Sequence, residues 1–180
     1  MSDTYTLHVA GLERQLPICP INDKVSVAAF VLFSDVEMTV AGARELLKVV
    51  PAFDAILTAE AKGIPLAYEM ARQTGLPYYL ARKSKKVYMP QVVEAELESI
   101  TTKGTQRLYL EEAYAQAMAG KRVLVVDDVI STGQSLAALE HLVAVCGGII
   151  AAKAAILAEG EAVERKDIIF LETLPLFFNE

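Results

Sequence analysis

The stretch from Val123 to Leu136, VLVVDDVISTGQSL, constrains this chain more than any other. Val123 to Val126 are apolar and mostly β-branched, which predicts a strand buried on both faces of a parallel sheet. Asp127 and Asp128 follow at once. A loop of small residues, Ser131-Thr132-Gly133-Gln134-Ser135, then opens a helix predicted over 135–146. In open α/β sheets ligands bind beyond the carboxyl ends of the strands, where this loop falls. Gly133 permits a tight turn, and successive backbone N–H groups at the positive end of a helix dipole suit an anion. The hydroxyls of Ser131, Thr132 and Ser135 add donors, so the loop has the chemistry of a phosphate site. Two acids would repel a phosphate, so they fit sugar hydroxyls or a metal ion instead. The spacing differs from the GxxxxGK[ST] and GxGxxG loops.

The rest of the chain reads around that segment. Thr4 to Ala10 and Glu13 to Ile18 are predicted strands with Gly11 at the turn, and Val25 to Phe33 is a further apolar strand. Helical spacing runs over 39–49 and stops at Pro51. Strands are predicted at 54–58 and 78–81, with a helix from Gly63 or Ile64 to Gln73 between them. Val92 to Thr105 reads as polar and poorly periodic, and Arg107 to Leu110 as a short strand. Arg122 to Val126, Ile149 to Leu157 and Asp167 to Leu171 complete the strands. The strand–helix–strand rhythm predicts an α/β fold, a mainly parallel sheet flanked by helices.

Composition narrows the function. With 180 residues and 53% apolar side chains, the chain reads as a single domain over 1–180. Its net charge of −6 argues against nucleic acid as a partner. No long uncharged apolar run predicts a membrane helix. Cys19 and Cys146 lie in no CxxC or Cys/His pattern, which argues against zinc and disulfides and suits a reducing cytoplasm. His8 and His141 have no partner at metal or triad spacing, and no GxSxG elbow is present.

The segment VLVVDDVISTGQS resembles the phosphoribosyl pyrophosphate (PRPP) signature of the type I phosphoribosyltransferase family, with Ser135 where Thr is commoner. The resemblance implies that Ser131, Thr132, Gly133, Gln134 and Ser135 bind the 5′-phosphate. It implies that Asp127 and Asp128, the catalytic pair, meet the ribose hydroxyls. The loop Glu60-Ala61-Lys62-Gly63 stands where the family holds pyrophosphate; Lys62 offers a cation and the helix start offers N–H groups. Arg82-Lys83-Ser84-Lys85-Lys86 is the dense basic cluster of an acidic chain. It resembles the RKxxK segment of the adenine and xanthine members, making Arg82, Lys83 and Lys86 pyrophosphate ligands, often offered across a homodimer. Phe33, in a segment similar to LFRD, is a candidate to stack on the base; the same position suits a core aromatic. Glu94 to Arg107 would be the loop that closes over the site, although it lacks the Tyr-Gly pattern and acid of the adenine type. Residues 1–35 would form mostly a small N-terminal hood.

The resemblance implies a transferase of purine salvage, turning a purine base plus PRPP into a nucleoside monophosphate and pyrophosphate. Mg²⁺ is expected to arrive with PRPP; no residue is assigned to it directly. Adenine is the first choice of base, from the Phe33 segment and the basic cluster. Xanthine or hypoxanthine/guanine follows, from Ser99-Ile100-Thr101-Thr102-Lys103. A non-catalytic PRPP-sensing regulator, which GIPLAYEMA after Lys62 also resembles, is the alternative of another class.

Overall fold

The structure, a computed structural model, describes residues 3–98 and 105–178. Its strands and helices are, in chain order, β1 (Thr4–Val9), β2 (Leu12–Pro20), β3 (Val25–Ala28), α1 (Val36–Leu47), β4 (Ala55–Ala59), α2 (Ile64–Thr74) and β5 (Tyr78–Ala81). They continue with β6 (Val92–Glu98), β7 (Thr105–Glu111), α3 (Glu112–Met118), β8 (Arg122–Ile130), α4 (Gln134–Val145), β9 (Ile149–Glu159), β10 (Ile169–Leu174) and β11 (Leu176–Phe178). A 3₁₀ turn, Gly160–Glu164, joins β9 to β10.

The apolar strands order as β10-β9-β8-β4-β5, and every neighbouring pair is parallel. Both faces are buried, as the continuous apolar runs require. Ile56, Leu124, Val126 and Ile156 pack with Met38 and Leu46 of α1 and Leu66 and Met70 of α2. Leu57, Val123 and Val125 point the other way, onto Met118 of α3 and Leu139, Leu142 and Val143 of α4. Successive strand residues thus feed two cores.

Chain order reverses between β4 and β8. From β4 the chain adds β5 on one side, then returns to add β8, β9 and β10 on the other. Pairing of β4 with β8 ends at Leu57 and Val125, yet β8 runs on against β9 to Ile130 and Ala158. The sheet therefore opens beyond Val125. Asp127 and Asp128 lie within β8 beside that opening, three residues or fewer before its end, rather than past the strand as the sequence suggested.

The hood is an antiparallel sheet, β1-β2-β3-β11. It draws its last strand from the far end of the chain, so it is not built from residues 1–35 alone. Phe177 of β11 meets Tyr5 of β1 edge to face at 5.9 Å. Leu7, Val9 and Leu16 share their core with Ile56 and Leu124 of the main sheet. A charged clasp reinforces the joint. Arg14 on β2 donates from Nε and Nη2 to Asp35 at 2.7 and 3.0 Å, while Asp35 Oδ1 accepts from Met38 N and caps α1.

Several boundaries depart from the sequence reading. The run from Val25 to Phe33 is a strand only to Ala28, because Phe33 and Ser34 turn into α1. That helix begins at Val36, where Asp35 supplies its cap. The expected polar loop over 94–107 is instead the arms of an antiparallel hairpin, β6 and β7. Ala95 and Leu108 face inward from it and Glu94 and Glu96 outward. Its Ser99-Ile100-Thr101-Thr102-Lys103 segment lies outside the described residues. α3 and β11 had not been anticipated.

A shared core predicts joint melting. Leu7→Ala should cost about 2–5 kcal/mol and lower the melting temperature of one transition seen alike by near- and far-ultraviolet circular dichroism. Two separated transitions would show that the hood melts alone.

Candidate functional site

The site is built where β4 and β8 part. Asp128 is 1% exposed, and its backbone N–H donates to Asp127 Oδ1 at 2.9 Å. Burial first, and then the neighbouring Asp128 charge, push the Asp127 carboxyl up to about 7, while Lys62 opposes the shift. Asp128 Oδ2 is buried without a hydrogen bond, although Lys62 Nζ stands 3.4 Å away. Thr58 Oγ1, on β4 across the opening, is likewise buried and unpaired. Buried polar atoms without partners are costly, so these two mark a place prepared for a polar ligand.

Beyond the acids the chain turns through Ser131 and Thr132 to Gly133, whose φ of 77° is a left-handed conformation open to glycine. α4 starts at once, and the predicted phosphate residues line a pocket of about 120 Å³ with Asp127, Val129 and Ile130. Backbone donors and the helix dipole meet there. An acid that sequence reading missed stands beside Ser131 of this pocket. Glu159, at the end of β9, is 8% exposed and accepts a hydrogen bond from the Ser131 hydroxyl. Burial raises its pKa, and Ser131 and Lys62 moderate the rise. A polar residue ending a buried apolar strand was its available signal.

The second loop, Glu60 to Gly63, lies against the first. A Cβ on Gly63 would run into Thr58 Oγ1 and stand 3.0 Å from Asp127 Oδ1, so glycine is needed here for space. The Glu60–Ala61 peptide is cis. Glu60 does not offer a donor to an anion; it gathers the basic cluster. Its carboxylate accepts from Arg82 Nη1 at 2.9 Å and Lys83 N at 2.6 Å, with Lys86 Nζ at 3.8 Å. These bonds hold the Glu60 carboxyl below its ordinary range against the opposing effect of burial. Arg82 also donates to the Tyr88 hydroxyl at 2.6 Å, and its backbone pairs with Tyr109 of β7. Arg82 thus meets Glu60 within one chain.

The structure brings Asp127, Asp128, Lys62, Gly63 and the 131–135 loop into one crevice. Phe33 does not line that pocket. It is 49% exposed in a separate apolar recess with Leu32, Val36, Pro65 and Tyr68, reached from the same loop because Pro65 opens α2 just after Gly63. Among the described residues no three acids, histidines or cysteines gather as a metal cage. Mg²⁺ commonly keeps its waters and uses one or two carboxylates plus substrate phosphates, and the adjacent carboxyls of Asp127 and Asp128, the latter with an Oδ2 that accepts no hydrogen bond, fit that mode.

A glycine-turned loop after a buried strand, two acids and a facing loop that carries Lys62 meet at the reversal of an open parallel sheet. The chain belongs to the phosphoribosyl transferase domain family, which matches residues 46–177. It is 33% identical over 119 residues to the xanthine phosphoribosyltransferase of an Exiguobacterium strain, covering 62% of this chain and 61% of that protein. It is 35% identical over 122 residues to the hypoxanthine/guanine phosphoribosyltransferase of Methanococcus voltae, covering 68% and 59%. The chain thus spans about three fifths of each relative's length. The fold is similar to the adenine phosphoribosyltransferase of Thermoanaerobacter pseudethanolicus, with a TM-score of 0.72 at 24% identity over 88% of this chain and 95% of that one. It also resembles the Leishmania tarentolae enzyme of the same name, with a TM-score of 0.66 at 20% identity over 96% and 84%.

The raised Asp127 pKa has a stability consequence. A carboxyl that binds its proton more tightly when folded destabilises the fold increasingly as pH rises from its ordinary 3.8 to about 7. Asp127→Asn should therefore raise the melting temperature of the unliganded protein at pH 8 by at least about 2 °C, and by less at pH 4.5. Equal effects at both pH values would contradict a strongly raised pKa.

Proposed function

We propose that this protein transfers the phosphoribosyl group of PRPP to a purine base. The observation that carries the reading is that the Gly133 loop at 131–135 and the Lys62 loop at 60–63 meet across Asp127 and Asp128. PRPP has an anion at each end and a diol between. The 5′-phosphate would rest on the N–H groups of 131–135, and the ribose hydroxyls on the two aspartates. Lys62, Arg82, Lys83 and Lys86 would meet the pyrophosphate. Glu60 would orient the cluster.

Held so, the sugar is stretched between fixed ends, and the reaction becomes largely one of position and charge. A ring nitrogen of the base forms a bond to ribose C1 as the C1–O bond to pyrophosphate breaks. The electron pair leaves with pyrophosphate, and the proton of the reacting nitrogen passes to water or to the departing pyrophosphate. Positive charge that gathers on the ribose ring passes beside the buried acids. Asp127 and Asp128 would hold the Mg²⁺ that arrives with PRPP, and the ion would supply charge that neutralises the pyrophosphate leaving group.

Adenine is the first base to test, because the exposed Phe33 ring and the recess above Pro65 offer a flat apolar face to a purine. Xanthine, hypoxanthine and guanine follow, on the names of the sequence relatives. The exposed Val87 and Tyr88 beside the basic cluster support a homodimer joined at that face. Among the described residues no helix is long and apolar enough to cross a membrane; with free Cys19 and Cys146, a cytoplasmic location in purine salvage is part of the proposal.

Incubation with PRPP, Mg²⁺ and each purine should release pyrophosphate with one of them. Asp128→Asn should lower kcat/KM, and Thr132→Val should raise the KM for PRPP, each by about tenfold or more. Absence of release with every base, despite a PRPP-raised melting temperature, would replace the transferase by a PRPP sensor.

A further inference from the structure

The phosphate loop has a neighbour that the signature does not contain. Arg165 follows the 3₁₀ turn after β9, and its Nη1 stands 2.6 Å from the position a Cβ on Gly133 would take. The guanidinium is set there by a carboxylate behind it. Arg165 Nε donates to Asp167 Oδ1 at 2.9 Å, and Nη2 donates to Oδ2 at 2.7 Å. This two-pronged bond uses one edge of the fork and turns Nη1 toward the loop. Asp167 is itself anchored by Lys153, which also pairs with Glu140 of α4 at 3.0 Å. Glu140 lies 3.9 Å from Arg165 Nη2. The group therefore links α4, β9 and the segment before β10 around the phosphate loop.

Resting on the reading above, we propose that Arg165 is a further binding residue for the phosphate monoester, with Asp167 as its positioning residue. A dianion seated on the N–H groups of 131–135 meets dipoles and hydroxyls there; Arg165 adds the Nη1 edge of a guanidinium at Gly133. Glu159, whose carboxylate meets the Ser131 hydroxyl, opposes an anion on this loop, which makes a compensating cation useful. Two acids keep the guanidinium in place when the loop is empty, so little side-chain freedom is lost on binding. Gly133 serves twice here: it adopts the left-handed turn and leaves room for Nη1.

The test is calorimetric titration of ribose 5-phosphate, with Mg²⁺-pyrophosphate as a second probe for the 60–63 loop. Arg165→Gln should weaken ribose 5-phosphate about tenfold and leave pyrophosphate affinity within about twofold. Arg165→Lys should recover part of the loss, and Asp167→Asn should lose affinity by an intermediate factor. Unchanged ribose 5-phosphate affinity in Arg165→Gln overturns the inference, as does an equal loss for both probes, which would mean a general structural effect. Should Arg165→Gln fail to fold, Arg165→Lys decides: a several-fold loss confined to ribose 5-phosphate supports the role, and wild-type affinity overturns it. If the wild-type protein binds no ribose 5-phosphate, the reading of the 131–135 loop itself falls.

Discussion

The parting of β4 from β8 after the Leu57–Val125 pair is the constraint on which the site depends. While the two strands pair, their residues belong to two apolar cores. Once they separate, β8 continues against β9 alone, and its next residues border an opening instead of a neighbour. Asp127 and Asp128 occupy that border, and Thr58 and Gly63 face them from the other side. The reversal of strand order makes the gap, because connections leave the sheet there in opposite directions. Gly63 keeps the gap narrow, and Gly133 turns the chain back over it.

Charge is distributed in that opening against the interest of the unliganded fold. Two adjacent buried carboxylates raise the Asp127 pKa, and Lys62 compensates only from outside. Buried oxygens of Thr58 and Asp128 that make no hydrogen bond add to the cost. Nearby, Glu60 shows the opposite arrangement, a carboxylate satisfied by Arg82, Lys83 and Lys86. The proposed site for a diol and two anions must keep acids and cations close without letting them neutralise one another fully. The apolar sheet and the Arg14–Asp35 clasp supply the stability that tolerates it.

Much of this was legible in the sequence. Val123 to Ser135 gave strand, acids, loop and helix in order because each step has its own chemical signature. The parallel strands were readable from short apolar runs and the turns between them. The hairpin was missed although Val93-Glu94-Ala95-Glu96-Leu97-Glu98 alternates with the period of a strand; abundant glutamate made it look like a loop. α3 was missed although Glu112, Ala113, Ala115, Gln116 and Met118 are good helix formers. β11 could not be foreseen locally, since it depends on pairing with Val25–Ala28 across the whole chain. The same holds for Arg165 and Glu159, which lie near the 131–135 loop only because β9 ends beside β8.

One measurement bears most directly on the account: calorimetric comparison of Mg²⁺-PRPP with ribose 5-phosphate and with Mg²⁺-pyrophosphate on the same protein. If the 131–135 and 60–63 loops hold opposite ends of one ligand, PRPP binds once per chain and at least about tenfold more tightly than either fragment, because its two halves arrive joined. If PRPP binds no more tightly than the better fragment, the two loops do not form a single site.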